Sequence, residues 1–158
     1  MQRLAFVWLL AFSGFGSAAA SPPALLATEG PLPLASGQAI HLFKQCSRSA
    51  PQPEGLLWQP SKQEVAQLES DLPGYLDAVR EKGETAPPLP PQYRGQYVSF
   101  TSAGAIYIYA SYIPESVAAQ SKPNGQAVVV CDGGIQFWGI VYSGKSRRFH
   151  DLQFNGPK

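Results

Sequence analysis

A chain of 158 residues with 44% hydrophobic and 15% charged content has the size and make-up of one globular domain rather than a disordered or fibrous protein. Its 12 basic and 11 acidic residues nearly cancel, and removal of Arg3 with an N-terminal leader leaves 12 − 1 = 11 of each sign. So even a balance gives no long-range field to gather nucleic acid or anionic lipid, and neither is expected as a partner.

The first 20 residues read as a secretory signal peptide. Met1-Gln2-Arg3 is a short basic start, Leu4 to Phe12 an apolar run, and Ala18-Ala19-Ala20 a small-residue site that predicts cleavage before Ser21. A membrane anchor needs roughly 20 apolar residues, and Ser13 and Gly14 break this run early. No membrane span is expected after cleavage, and no cysteine lies near the site to carry a lipid. The expected address is therefore periplasmic or secreted. Residues 21–37, rich in Pro, Ala and Leu, read as an extended leader, and residues 38–158 as a single domain.

Ala39 to Phe43 suits a short first strand, or a segment drawn in by the nearby Cys46. The loop after it is held extended by Pro51 and Pro53. The clearest helix begins at Ser61, where Ser61 and Glu64 form a capping box behind Pro60. Val65, Leu68, Leu72, Leu76 and Val79 then recur at steps of three and four and make one apolar face. Glu64, Glu69 and Asp71 are expected to cap the helix or to sit on its solvated side. Pro73 predicts a kink, or two helices restarted at Asp71, and Gly83 an end. Thr85 to Gln92, with Pro87, Pro88, Pro90 and Pro91, reads as a stiff polyproline-like connector.

Strand patterns fill the remainder. Gln96–Thr101 and Ala105–Ile113 are rich in β-branched and aromatic residues, with a hairpin turn at Ser102-Ala103-Gly104. Gln126–Cys131 reads as the next strand, and Asp132-Gly133-Gly134 as a hairpin leading into Ile135–Tyr142. A turn at Ser143-Gly144-Lys145 then precedes a last strand, Phe149–Phe154. The expected fold is α+β: one helix on an antiparallel meander of about five strands.

Cys46 and Cys131 are the chain's cysteines, and in an oxidising compartment they are expected to form a disulfide. The competing reading is a catalytic thiol beside His41 or His150, but an isolated secreted thiol tends to oxidise. Two Cys and two His at these spacings do not make a zinc site, and no metal or cofactor motif is present.

Strings such as Cys46-Ser-Arg-Ser-Ala-Pro51, Val130-Cys-Asp-Gly-Gly-Ile-Gln-Phe-Trp-Gly139 and the Phe149-x-x-Leu152-x-Phe154-Asn-Gly156 ending resemble small exported proteins of Gram-negative bacteria. The resemblance implies a periplasmic or secreted address and brings no catalytic residue with it.

Aromatic alternation supplies the functional expectation. Tyr107 and Tyr109 point away from Ile106 and Ile108, and Trp138 and Tyr142 away from Ile135, Phe137 and Val141. If Tyr107, Tyr109, Trp138 and Tyr142 share the face away from the helix, they form a rigid platform for an envelope protein or a cell-wall glycan. The competing reading is that the Pro-rich leader or Trp58 covers this face. The expected function is a non-catalytic envelope binding protein, such as an inhibitor or immunity factor. The alternative is a small secreted hydrolase in which Asp132 or Glu115 meets His150 or His41 after folding.

Overall fold

The computed structural model describes residues 30–88, 92–120 and 124–157. The predicted signal peptide, residues 21–29 of the leader and Pro90 and Pro91 of the connector lie outside them. An antiparallel sheet of β1 (Glu54–Trp58), β2 (Tyr93–Ser102), β3 (Ala105–Pro114), β4 (Trp138–Ser143) and β5 (Arg148–Phe154) runs in sequence order. Between β1 and β2 comes helix α1 (Lys62–Glu81), and a single turn, α2 (Glu115–Ala118), follows β3. The expected α+β architecture, one helix on a five-strand meander, is the one observed.

Local chemistry sets the limits of α1. Ser61 Oγ accepts from the Glu64 amide at 3.2 Å, and the Glu64 carboxylate accepts from the Ser61 amide at 2.7 Å, completing the capping box. At the far end Gly83 takes φ +75°, and the amides of Gly83 and Glu84 return to the carbonyls of Arg80 and Val79. The helix runs on through Pro73 instead of restarting at Asp71. Leu68, Leu72, Leu76 and Val79 are buried, and roughly 1.5–3 kcal/mol from each outweighs the ~3 kcal/mol cost of an interior proline.

Two strand expectations need correction. Ala39–Phe43 is a 3₁₀ turn, and the first strand is Glu54–Trp58. Gln126–Cys131 is not a strand. The Gln96 side chain of β2 pins it instead, donating to the Gln126 carbonyl at 2.8 Å and accepting from the Val128 amide at 2.7 Å. The apolar content that made this segment look like a strand is used in packing, since Val128 and Val130 lie against Ile113, Ala118 and Phe137. Nor does Asp132-Gly133-Gly134 form a hairpin; Gly134–Gln136 is a 3₁₀ turn leading to β4. The turn after β2 is as expected, with Ala103 and Gly104 both at positive φ (48° and 73°), the geometry that a two-residue hairpin favours.

The sheet is covered on both faces. Leu68, Leu72 and Leu76 of α1 pack on Tyr97, Ile108, Ala110, Tyr112, Trp138, Ile140 and Tyr142. Across the sheet, Leu34, Ala39, Leu42 and Phe43 close over Val98, Phe100, Tyr109 and Val141. The end of the leader and the Ala39–Phe43 turn therefore form a third layer, and the Leu32 amide on the Gly95 carbonyl at 3.1 Å ties the leader to β2. The expected disulfide is present, with Cys46 and Cys131 Cα atoms 4.9 Å apart across 85 positions.

Candidate functional site

The four aromatics of the expected platform do not share a face. Tyr107 and Tyr109 lie opposite Phe100 and Val98 on the leader side. Trp138 and Tyr142 lie opposite Tyr112 and Ile108, beneath α1. Residues directly opposite in neighbouring strands project to the same side, so the register between β3 and β4 overturns the arrangement inferred from each strand alone. Tyr109, Trp138 and Tyr142 are buried, and Tyr107 is half-buried. Phe137, expected under the helix, packs with Leu32, Ile113 and Ala118, while Ile106 is 57% exposed. Leu34 of the leader covers the second face together with Ala39, Leu42 and Phe43 of the turn that follows, so the competing reading holds in part.

What Tyr109 does instead is anchor a cation. Arg48 donates to Tyr109 Oη at 3.3 Å, to Ser111 Oγ at 2.8 Å and to Asn155 Oδ1 at 2.6 Å. Gly139 makes this possible, because a Cβ there would run into the Tyr109 ring. The Arg48 cluster thus ties the loop after Cys46 to β3 and to the end of β5.

Two carboxylates assigned to the helix's caps or solvated side turn to the sheet. Asp71 accepts from Tyr142 Oη at 2.6 Å and forms an ion pair with Arg147 of the β4–β5 turn. The hydrogen bonds from Arg147 and Tyr142 hold its carboxyl down at about 2, and burial together with Asp71 raises the Tyr142 hydroxyl to about 12. Glu69 Oε1 accepts from both Tyr97 Oη, at 2.6 Å, and Tyr112 Oη. Burial, reinforced by that carboxylate, pushes both tyrosines upward, so both remain protonated donors. Tyr97 and Tyr112 are paired by register with the small Ala110 and Gly95, whereas Tyr142 stands opposite Ile108 and Phe149 and carries no such signal.

The acids and histidines of the hydrolase alternative are dispersed. Glu115 is held by Arg94, and Asp132 and His41 are exposed. His150 Nδ1 lies 2.7 Å from the carboxylate of its chain neighbour Asp151, on the exposed strand β5. Among the described residues, no group of three or more His, Cys, Asp or Glu is placed to hold a metal, and no helix is long and apolar enough to cross a membrane.

Among the described residues Ile40, Leu56, Trp58, Ile106 and Ile135 are large exposed hydrophobics, and three of them belong to β1 and β3. The β1–β2 pairing matches Glu54 with Thr101 and Trp58 with Ser99, so four steps along β1 span two along β2. This wide bulge, with Gly55 at φ +82°, turns Leu56 outward to 83% exposure. Trp58 is 37% exposed, and Ile106, opposite Thr101, stands one strand further on. Beside them an open groove of 660 Å³ runs between the N-terminus of α1 and the two hairpin turns. Ile106, Tyr107, Ile108 and Tyr142 line it, with Gln67 and Lys145. Comparison with protein-family models, with curated proteins and with solved structures finds no match to this chain.

Proposed function

We propose that this is a non-catalytic binding protein of the cell envelope, of the inhibitor or immunity type, which holds a partner protein at the end of the sheet formed by Leu56, Trp58 and Ile106. The observation that carries this reading is the β1 bulge, which turns a large aliphatic side chain into solvent beside a part-exposed tryptophan. An exposed apolar group of this kind costs solubility unless it is covered, and interfaces concentrate their energy on such anchors. Leu56 and Ile106 offer nothing to the hydroxyls of a glycan, which favours a protein partner. The adjoining groove gives an anchor side chain of that partner somewhere to go. A disulfide across 85 positions fits an oxidising compartment, in keeping with the periplasmic or secreted address expected from Met1–Ala20.

The test begins with a partner recovered from the envelope fraction of the source cells, purified and titrated against single alanine variants. Trp58→Ala and Leu56→Ala should each weaken binding by about 30-fold, the effect of losing a hot-spot anchor, with melting temperatures unchanged. A Leu56→Ala, Ile106→Ala double variant that binds like the parent would refute the reading.

A further inference from the structure

Just past Trp58 in the chain, Gln59, Pro60, the leader and the first turns of α1 border a second open cavity, of 560 Å³. Pro31, Leu32 and Pro33 form one wall, and Val65 and Ala66 of the helix another; Glu69 and Tyr97 also line it. The volume lies within the range of small-molecule sites. We propose that this cavity binds an organic cation, an ammonium or guanidinium group on an apolar stem, with Glu69 as the acceptor.

Glu69 is half-buried, and its two oxygens are used unequally. Oε1 takes the hydroxyls of Tyr97 and Tyr112, whereas Oε2 accepts nothing among the described residues. No lysine, arginine or histidine among them forms an ion pair with it. A carboxylate at an apolar cavity, fixed by two neutral donors and lacking a counter-charge, is complementary to a cation that brings both charge and N–H donors. An anionic ligand would meet Glu69 as a like charge, and a neutral apolar one would strip its water without replacing it. Lys62 also lines the cavity. It lies seven positions, roughly 10 Å, along the helix from Glu69 and makes no ion pair among the described residues. Its charge opposes a second cation there, so the ligand is a monocation whose far end is apolar or acidic.

The same chemistry arrives either as a free amine or as a lysine or arginine side chain of a peptide. The disulfide-bonded protein is therefore titrated with 4-phenylbutylamine, with 4-phenylbutanol and 4-phenylbutyrate as matched controls, and with a blocked Leu-Lys dipeptide. Binding is read by calorimetry and by NMR shifts at Glu69, Val65 and Tyr97. The amine should bind at least tenfold more tightly than the alcohol, and the acid not at all. Glu69→Gln, which retains an oxygen for the tyrosines, should abolish that preference. Ala66→Phe, at an exposed helix position, should fill the cavity and weaken the amine at least tenfold even if Glu69→Gln fails to fold. Tighter binding of the peptide assigns the site to a basic side chain, and tighter binding of the amine to a small molecule; both support the proposal. Equal binding of amine and alcohol, no shift at millimolar amine, or full affinity in Ala66→Phe overturns it. Glu69 lies outside the Leu56, Trp58 and Ile106 surface, so the two proposals fail separately.

Discussion

Tyr112 of β3 lies flat on Trp138 of β4, ring centroids 4.0 Å apart and planes 16° from parallel, and the two residues are direct register partners. Tyr93 meets the same indole edge-on at 5.7 Å. At this end of the β3–β4 pairing the core beneath α1 is therefore an aromatic stack, beside the aliphatic Ile108, Ala110 and Ile140. Its upper rim is polar, where the Tyr97 and Tyr112 hydroxyls reach Glu69.

Truncating this stack should damage folding. Trp138→Ala is expected to cost about 3–5 kcal/mol, the usual range for a buried aromatic. Trp138→Phe should cost much less, because among the described residues the indole N–H has no hydrogen-bond partner to lose. Chemical denaturation of the two variants measures the difference, and equal losses would contradict the packing described.

How much of this was legible in the sequence depends on how local each signal is. The Ser61–Glu64 box, Gly83 and the Ala103-Gly104 turn act within a few residues, and each forms as read. The strand of Glu54–Trp58 was not legible, because its bulge and Gly55 erase the alternation that marks a strand. Gln126–Cys131 shows the opposite case, a β-rich string whose Val128 amide and Gln126 carbonyl are claimed by the Gln96 side chain. The faces of Trp138 and Tyr142 depend on the β3–β4 register, a pairing that no single strand encodes. The third layer depends on Leu34 of the leader and Leu42 and Phe43 of the following turn finding a face whose existence local pattern does not announce.

The Asp71 cluster gives the protein a pH signature at both ends. Asp71 is held at about 2 against an ordinary 3.8, so its stabilising contribution is present above about pH 4 and is lost as pH falls toward 2. Tyr142 is raised from 10.0 to about 12, so its contribution is intact below pH 10 and is lost as pH climbs toward 12. Melting curves across pH should show both slopes in the parent. Asp71→Asn should flatten the acid slope, whereas Tyr142→Phe should remove only its own share of the alkaline slope, since burial raises Tyr97, Tyr109 and Tyr112 as well. An Asp71→Asn variant with the parent's acid slope would contradict the assignment.

The Cys46–Cys131 bond closes a long loop and should stabilise by about 4 kcal/mol through chain entropy. Thiol titration of unreduced protein should read near zero. A Cys46→Ser, Cys131→Ser pair should lower the denaturation midpoint accordingly, whereas an unchanged midpoint would show that the bridge contributes nothing to folding.

Gly139 is predicted to be intolerant of a side chain. Gly139→Ala drives a methyl into the Tyr109 ring and should cost about 1–3 kcal/mol, as overpacking does. Arg48→Met should also destabilise, since it strands Tyr109, Ser111 and Asn155 without their shared donor. Combining the two should give less than the sum, because both act on Tyr109. Full additivity in a double-mutant cycle would refute the link.

The claim that Leu56, Trp58 and Ile106 form a docking surface is tested most directly by site-specific photo-cross-linking in the source cells. A photoreactive phenylalanine analogue is placed at Leu56 or Ile106, and for comparison at Asp77 or Lys82 on the exposed side of α1. The account predicts the same discrete protein adduct from Leu56 and from Ile106, and none from the helix positions. No adduct at the sheet end, or equal adducts from both surfaces, would contradict it.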